Sequence, residues 1–505
     1  VMQQAQNVGI PANVVAFEFA SATVDTLDKF SALEPAEPGR GAALPSTDSV
    51  TRSAMLEGEI VGIGVEVKVH EEGLLINKAL RGGPAADARL QSGDIITAID
   101  GRNIAGMSMA NSVDLMKGSE GSRIQLRILR DGSRTGTVTL TRRRVRVYTV
   151  DDVRKLSGTD SVAYISLNQF GQKSTAELDE ALQQMYDQGM KSLILDLRGN
   201  PGGLLNVCVD ITNRFLPCGT IVSTKGRLSS DTMVETATYG RTWSTPLVVL
   251  IDEDSASASE IFAGAIQDYG RGVIIGSQTF GKGTVQTLIP LNRGQLKITA
   301  AKFYRVSGQS TQHQGVIPDV SFPELFDIDQ IGESSLEDAM QWDTIQPAVY
   351  DQSENIQNLL PELQRRHEQR VADNIDFNYY RAISSKSKEA GLRTHVSLNE
   401  ETRRSEKAED DQWRLDLENS LRAAKGKPLA DSLDHLDELL EAEEEAGTET
   451  PTAGDTADAP ESASAGDVLA DAEEQTELED SEAADVIETV EDDAMLEEAG
   501  RVLLD

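Results

Sequence analysis

The stretch SLILDLRGNPGG, at residues 192–203, begins as a continuous apolar run and ends in a glycine-rich turn. A short apolar run bounded by turn residues is typical of a strand buried on both faces of a sheet. Similar runs lie before and after it, at Val162–Leu167, Leu247–Asp252 and Gly272–Gly276. Two further segments have the apolar spacing of helices, Ser174–Gln188 and Ser257–Tyr269. Strands that alternate with helices predict an α/β domain with a mostly parallel, covered sheet, from Ser161 to about Phe322.

The flanking regions have other patterns. Between Gly58 and Arg144, short runs rich in β-branched residues alternate with glycine turns, which predicts a small β domain. Within this domain the sequence predicts a strand-like run at Val61–Val69. It also predicts a short helix at Ser112–Lys117 and a hairpin turn at Asp131-Gly132. From Leu336 to about Ala446 the chain is polar with narrow apolar stripes, which predicts helices. The segment Ala36–Ser49 is rich in Pro, Gly and Ala and is predicted to be a linker.

The last part of the chain is strongly acidic. From Glu441 to Asp505 there are 24 acidic residues and one basic residue, Arg501. Such a segment buries too little apolar surface to offset its chain entropy, so disorder is predicted. Its final stretch departs from this pattern, with near-helical spacing of Val486, Val490, Met495, Leu496, Ala499 and Leu503. This spacing favours a weakly helical end over a partner-binding helix.

Composition excludes several functions. The 505 residues include 84 acidic and 47 basic side chains, a net charge of −37, which repels nucleic acid. The two cysteines, Cys208 and Cys218, are too few for a disulfide scaffold or a zinc cluster. The five histidines lie far apart, which argues against a Ser-His-Asp triad and a histidine metal site. We therefore expect no metal and no cofactor.

The segment Ser255-Ala256-Ser257-Ala258-Ser259-Glu260 follows a predicted buried strand directly. At such a strand-to-helix turn, a serine can be a nucleophile beside an oxyanion site, or simply a helix N-cap. The segment alone favours the cap.

A second segment makes a nucleophilic serine more plausible than a helix cap. Its sequence is Thr279-Phe280-Gly281-Lys282-Gly283-Thr284-Val285-Gln286. Lys282 can remove a proton from a serine if burial lowers its pKa. Gln286 could hold the amine without adding charge, and no acidic residue lies between Thr279 and Leu288. A phosphate-binding P-loop is rejected because its first glycine is missing and the residue order differs.

Together, the glycine turn, the serine segment and the lysine segment resemble the carboxyl-terminal processing, or tail-specific, proteases. The resemblance covers roughly Glu57–Pro323 and implies an α/β protease core of the crotonase/ClpP-like type. It implies that Ser257 is the nucleophile, Lys282 the general base and Gln286 the residue that orients the base. It also implies an oxyanion hole formed by the backbone amides of Ala258 and Gly203. The resemblance therefore implies that the protein is a serine endopeptidase that works through an acyl-enzyme.

The β-rich domain then resembles a PDZ domain. Its loop Gly62-Ile63-Gly64 matches the loop that binds a free C-terminal carboxylate, and Gly83–Ala86 and Gly93–Ile96 match the turn motifs of the family. The implied partners are proteins with apolar C-termini. The helical region resembles the C-terminal extension of Gram-negative periplasmic members, through Trp342–Ile345, Val396–Asn399 and Gly426–Pro428. This implies a periplasmic location, with association at the inner membrane face, and a lipoprotein adaptor. The oligomeric state stays open.

The expected organisation is an N-terminal segment at 1–57, the PDZ domain at 58–146, the protease core at 147–325, a helical extension at 326–440 and a disordered acidic tail at 441–505. Leu27–Ser31 departs from the family, which commonly has Asp-Pro-His before Ser or Thr at this point. A non-catalytic PDZ scaffold and a crotonase-like acyl-CoA enzyme remain alternatives, since fold alone does not decide function. A further hypothesis is that the apolar Val502–Leu504 docks in the PDZ groove of its own chain and is trimmed.

Overall fold

The structure is a computed structural model that describes residues 11–35, 56, 58–130, 134–159, 161–238, 240, 242–292, 294–393, 395–447 and 493–505. The predicted linker at Ala36–Ser49, the turn at Asp131-Gly132 and most of the acidic tail lie outside these residues. The first two elements are α1 (Ala12–Asp25) and β1 (Ala32–Pro35).

A small β domain follows. Its elements are β2 (Glu59–Gly62), β3 (Val65–His70), β4 (Gly73–Ala79), α2 (Pro84–Asp87), β5 (Ile95–Ile99), β6 (Arg102–Asn103), α3 (Met109–Met116), β7 (Arg123–Arg130), β8 (Arg134–Thr141) and β9 (Arg143–Arg146). The main sheet has the order β3-β4-β5-β7-β8, and β2 pairs with β9. The predicted run Val61–Val69 divides into two strands at Gly64, which has φ +74° and would place a Cβ only 3.1 Å from the Cα of Gly83. This close approach explains the break and leaves β3 at the edge of its sheet.

The α/β domain comes next. Its elements are β10 (Val150–Lys155), β11 (Val162–Leu167), α4 (Ser174–Asp187), β12 (Ser192–Asp196), α5 (Leu205–Thr212), β13 (Gly219–Gly226), β14 (Met233–Ala237), β15 (Leu247–Ile251), α6 (Ala258–Asp268), β16 (Val273–Gly276), β17 (Thr284–Leu291), β18 (Gly294–Tyr304) and β19 (Val320–Ser321). The sheet β10-β11-β12-β15-β16-β19 is parallel from β11 onward. This confirms the predicted parallel sheet. A second, antiparallel sheet joins β1, β18, β13 and β14, with β17 on β18.

The C-terminal region contains helices α7 (Ile328–Ile331), α8 (Glu354–Val371), α9 (Ile375–Gly391), α10 (Glu400–Ala424), α11 (Leu433–Gly447) and α12 (Ala494–Leu504). The prediction of helix from Leu336 is wrong up to Ser353. Part of this stretch is extended instead, because Ile345 and Ala348 donate backbone hydrogen bonds to Gly308 and Val306.

The parallel sheet is covered on both faces. Along β12, Leu193 and Leu195 belong to a core shared with α4, α5 and α6, whereas Ile194 points into a second core. That second core includes side chains from α8, α9, α10 and α12. Helices α8, α9, α10 and α12 therefore cover the second face of the parallel sheet.

Helix α12 agrees with the helical end that the apolar spacing favoured and shows that this end does not belong to a disordered tail at 441–505. Most of its apolar residues are buried, including Leu496 (3% exposed), Ala499 (0%) and Val502 (2%), and these pack in the second core. Val502 is therefore not available to the PDZ groove, and the self-docking hypothesis is wrong for this structure. The helical spacing indicated the helix correctly, whereas the averaged charge of the segment hid the short apolar stripe.

We expect α12 to contribute strongly to stability. Replacing Leu496 by Ala should destabilise the protein by about 3 kcal/mol, because a buried leucine loses its packing and leaves a cavity. The matched control is Leu504→Ala on the same helix, where the side chain is 57% exposed and the loss should stay within about 0.5 kcal/mol. Urea unfolding of both variants measures the difference. Equal losses would show that α12 is not docked in solution.

Candidate active site

Ser257 lies at the turn between β15 and α6, at the carboxyl end of a central strand. Its backbone has φ 57° and ψ −107°, a region that non-glycine residues rarely adopt. Strained backbone of this kind persists only where the surrounding structure enforces it. Both neighbours, Ala256 and Ala258, are buried, while Ser257 itself is partly exposed. The turn thus presents one hydroxyl at the surface of an otherwise closed core.

Gly202, the neighbour of the predicted oxyanion residue Gly203, lies beside this serine. A Cβ on Gly202 would stand 2.9 Å from Cβ of Ser257 and 2.8 Å from the amide nitrogen of Ala258, so only glycine fits there. In the part of the chain that the structure describes, the amides of Ala258 and Gly203 donate to no acceptor. Two unused amides near one serine are the donors that an oxyanion site requires.

Buried polar groups hold the glycine turn in place. The Gly199 amide donates to both carboxylate oxygens of Asp252, each at 2.9 Å. Burial, with the charges of Asp254 and Glu253 adding to it, raises the pKa of Asp252 to about 8. The buried Asn200 side chain donates to the Leu167 carbonyl and accepts from the Gly202 amide.

Glu260 connects the serine to the lysine, a role that the sequence analysis missed. Its Oε2 accepts from the amides of Ser257 (2.7 Å) and Lys282 (3.0 Å). Its Oε1 accepts from the Gly281 amide and the Thr279 hydroxyl. The carboxyl is fully buried, and burial raises its pKa to about 8 while the four donors oppose that rise. The signal was present, because a Glu three residues after a helix-capping serine has capping-box spacing.

The Lys282 side chain is partly buried, and its Nζ lies 3.8 Å from the centroid of the Phe30 ring. Folding also brings Glu333 near it, although no acidic residue lies between Thr279 and Leu288. The Glu333 amide donates to the Phe280 carbonyl, and burial raises the pKa of Glu333 to about 7 against the opposing charge of Lys282. The environment of Lys282 therefore includes an acidic group from a distant segment.

Gln286 occupies β17, and its side-chain amide donates to the hydroxyls of Thr284 and Thr299. Thr299 in turn donates to Asp28, just before Phe30. These bonds tie Gln286 to the N-terminal segment, and its orienting role toward Lys282 stays a prediction.

The loop Gly62-Ile63-Gly64 joins β2 to β3 in the small β domain. The carbonyls of Ile63 and Gly64 accept from the amides of Ala85 and Leu80, which fix the loop. Within the described ranges, the amides of Ile63 and Gly64 have no acceptor. Two unused amides beside an edge strand can bind a carboxylate.

Among the residues that the structure describes, no group of three or more His, Cys, Asp or Glu side chains has an arrangement that could bind a metal ion. Among the helices of those residues, none combines the length and apolar character that crossing a membrane requires.

Comparison with known families matches three parts of the chain. Residues 61–141 match the PDZ domain, residues 161–322 match peptidase family S41, and residues 326–505 match the C-terminal domain of tail-specific protease.

Individual proteins give a similar result. A tail-specific protease of Haemophilus influenzae is 33% identical over 75% of this chain and 58% of its own length. A carboxy-terminal-processing protease of Bartonella bacilliformis is 40% identical over 52% of this chain and 62% of its own length. The chain thus spans about three fifths of these relatives. A solved photosystem II D1 C-terminal processing protease is 28% identical, covering 64% of this chain and 86% of that one with a TM-score of 0.39.

The Glu260→Gln variant tests whether the Glu260 carboxyl holds the backbones of Ser257 and Lys282 together. An uncharged amide offers one acceptor oxygen in place of two, so at least one of the four donors would face an NH₂ group. We expect kcat of the reaction at this site to fall by about 10- to 100-fold, because small misplacements of reacting groups are costly. Glu180→Gln, an exposed change in the same domain, should leave kcat unaltered. Unchanged kcat in Glu260→Gln would disprove the bridging role.

Glu333 should make stability depend on pH. Because its folded pKa is raised from 4.5 to about 7, the stability it contributes is complete below pH 4.5 and is lost as the pH rises through about 7. Glu333→Gln stays neutral and should not show this loss. Urea unfolding at pH values of about 5 and about 8 should therefore show wild type losing stability relative to the variant. A pH-independent difference between the two proteins would contradict the raised pKa.

Proposed function

The chain carries the PDZ domain, the family S41 peptidase domain and the C-terminal domain of a tail-specific protease, and on this premise we propose that it is a serine endopeptidase acting through Ser257 and Lys282. It recognises the apolar C-terminus of a protein substrate through the PDZ domain and cleaves the chain by way of an acyl-enzyme. The observation that carries the proposal is the shared acceptor Oε2 of Glu260, which brings the backbones of the two residues together.

In the first step, the Ser257 hydroxyl attacks the scissile carbonyl and its proton passes to the Lys282 amine. The negative oxygen that forms is stabilised by the amides of Ala258 and Gly203, and one such donor contributes roughly 10²- to 10³-fold in rate. The lysine then gives its proton to the leaving amine, which departs as the new N-terminus. Water hydrolyses the ester that remains on Ser257, and the carboxylate product leaves.

Lysine acts as a base only in its neutral form. The Phe30 ring excludes water from one side of the Lys282 amine, which favours that form, although its π-face also attracts a cation. Glu333 opposes the neutral form only when it is ionised itself, and its pKa of about 7 keeps a large fraction protonated near neutrality. The proposal requires Lys282 to be neutral when it accepts the proton.

Substrate recognition rests on the small β domain. Because β3 is an edge strand of its sheet, a substrate's extended C-terminus can add beside it as a further strand. The free amides of Ile63 and Gly64 lie just before β3 and can receive the terminal carboxylate. Half-buried apolar residues on β3, Val65 and Val67, favour apolar substrate side chains.

The proposal extends to location and partners. We propose a periplasmic location, with association at the inner membrane face, and a lipoprotein adaptor as partner, as the resemblance of the helical region to Gram-negative periplasmic members implies.

The decisive experiment compares Ser257→Ala and Lys282→Ala with wild type on one substrate that ends in apolar residues. We expect both variants to lose cleavage by about 10³-fold or more, because each removes a reacting group. Binding of a peptide with the same apolar C-terminus should persist. Lys191→Ala, an exposed change in the same domain, is the control and should cleave normally.

A fluorophosphonate probe separates the proposal from its alternative. It should label wild type at Ser257 and leave Ser257→Ala unlabelled. If wild type binds the peptide yet neither cleaves nor takes the label, the chain is a PDZ scaffold. Full activity in Lys282→Ala would exclude the lysine as the base.

A further inference from the structure

The last helix of the chain reaches the glycine turn of the candidate active site. Asp493, the N-cap residue of α12, binds the guanidinium of Arg198 at two points, with Nη1–Oδ1 at 3.2 Å and Nη2–Oδ2 at 2.5 Å. Arg198 stands immediately before Gly199, where the turn begins. A residue from the extreme end of the sequence thus contacts the segment that carries a predicted oxyanion donor.

Arg198 is held from its other side as well. Its Nε and Nη2 donate to Asp196 at 3.0 and 2.6 Å, and Asp196 accepts from the buried Tyr164 hydroxyl. Asp196 ends β12 and is itself buried. Two-point contacts between a guanidinium and a carboxylate fix direction as well as distance. The side chain of Arg198 is therefore fixed between the central sheet and α12.

Packing determines where Asp493 lies. Beyond the apolar contacts of α12 with the second core, Glu498 is 1% exposed and pairs with His367 and Arg370 on α8. The backbone at Gly500 passes so close to Leu156 that a Cβ there would stand 2.1 Å from its Cδ2. These contacts fix the position of the helix against the sheet, and with it the carboxylate at its N-terminus.

We infer that Asp493 is a positioning residue for the oxyanion turn. By holding Arg198, it keeps the segment from Gly199 to Gly203 in the conformation that presents the Gly203 amide to the reacting carbonyl. Asp252 holds the same turn through the Gly199 amide. The inference rests on the proposed function and adds that the chemical step requires the chain's final helix.

A purely structural role for Asp493 is the competing explanation, because its side chain also accepts from the Leu496 amide at 2.9 Å and so caps α12. Asp493→Asn separates the two roles. Asparagine caps a helix about as well as aspartate, but it loses the charge that binds Arg198. The matched control is Glu497→Gln, which removes the same charge from the same helix at a half-exposed pair with Arg501.

The kinetic test uses the full-length protein and the apolar-tailed substrate. We expect Asp493→Asn to lower kcat about 10- to 100-fold, with KM, PDZ-peptide affinity and melting temperature unchanged. Glu497→Gln should match wild type in all four. In an Arg198→Met background, the further change Asp493→Asn should have no additional effect on kcat, since the contact is already absent. Wild-type kcat in Asp493→Asn overturns the inference.

Amide hydrogen exchange gives a readout that does not depend on cleavage. Asp493→Asn should speed exchange at Gly199, Asn200 and Gly202, whose amides are bonded in this structure, while α12 stays protected. Faster exchange throughout α12 with no change in the turn would show a capping role only and overturn the inference. If wild type cleaves nothing but the turn loosens in Asp493→Asn, the proposed function fails and the positioning role stands.

Discussion

The central constraint is that the parallel sheet has no face that can meet water. Every residue of β12 and β15 is buried, with alternate side chains entering two different cores. A sheet of this kind is stable only between two covering layers. Helices α4, α5 and α6 supply one layer, since they come from the strand-to-strand connections. The other must come from elsewhere in the chain, and the C-terminal helices supply it. The acidic tail consequently ends in a buried helix.

The same burial sets the chemistry at the carboxyl ends of the strands. Glu260 is a carboxyl group in a dry interior and Asp252 is a half-buried one, placements that cost free energy unless hydrogen bonds compensate. Both are surrounded by backbone amides of the turns on which the candidate site is built. The amides need acceptors and the carboxyls need donors, so each satisfies the other. The strained backbone of Ser257 is maintained by such a network.

The sequence predicted the parts of the molecule that depend on local pattern. The strand Val162–Leu167 has the predicted bounds, and the serine, lysine and glycine-turn segments meet at one edge of the sheet. The contacts of Glu333, Phe30 and Asp493 were not predictable, because each comes from a segment far away in sequence. The helical spacing indicated α12, but its burial was not predictable, because composition averaged over Glu441–Asp505 does not show eleven residues with an apolar face.

The candidate site is therefore made of two kinds of residue with different origins. The groups proposed to react lie in three short motifs on neighbouring strand ends, which explains why local sequence identifies them. The groups that determine their surroundings come from distant parts of the chain: Phe30 against the lysine, Glu333 near it and Asp493 bound to Arg198 at the glycine turn. Asp493 belongs to the outer layer of helices that covers the sheet. The packing of the second core therefore affects the conformation of the glycine turn. Changes at the surface of that layer can then reach the site through Arg198 without touching a reacting group.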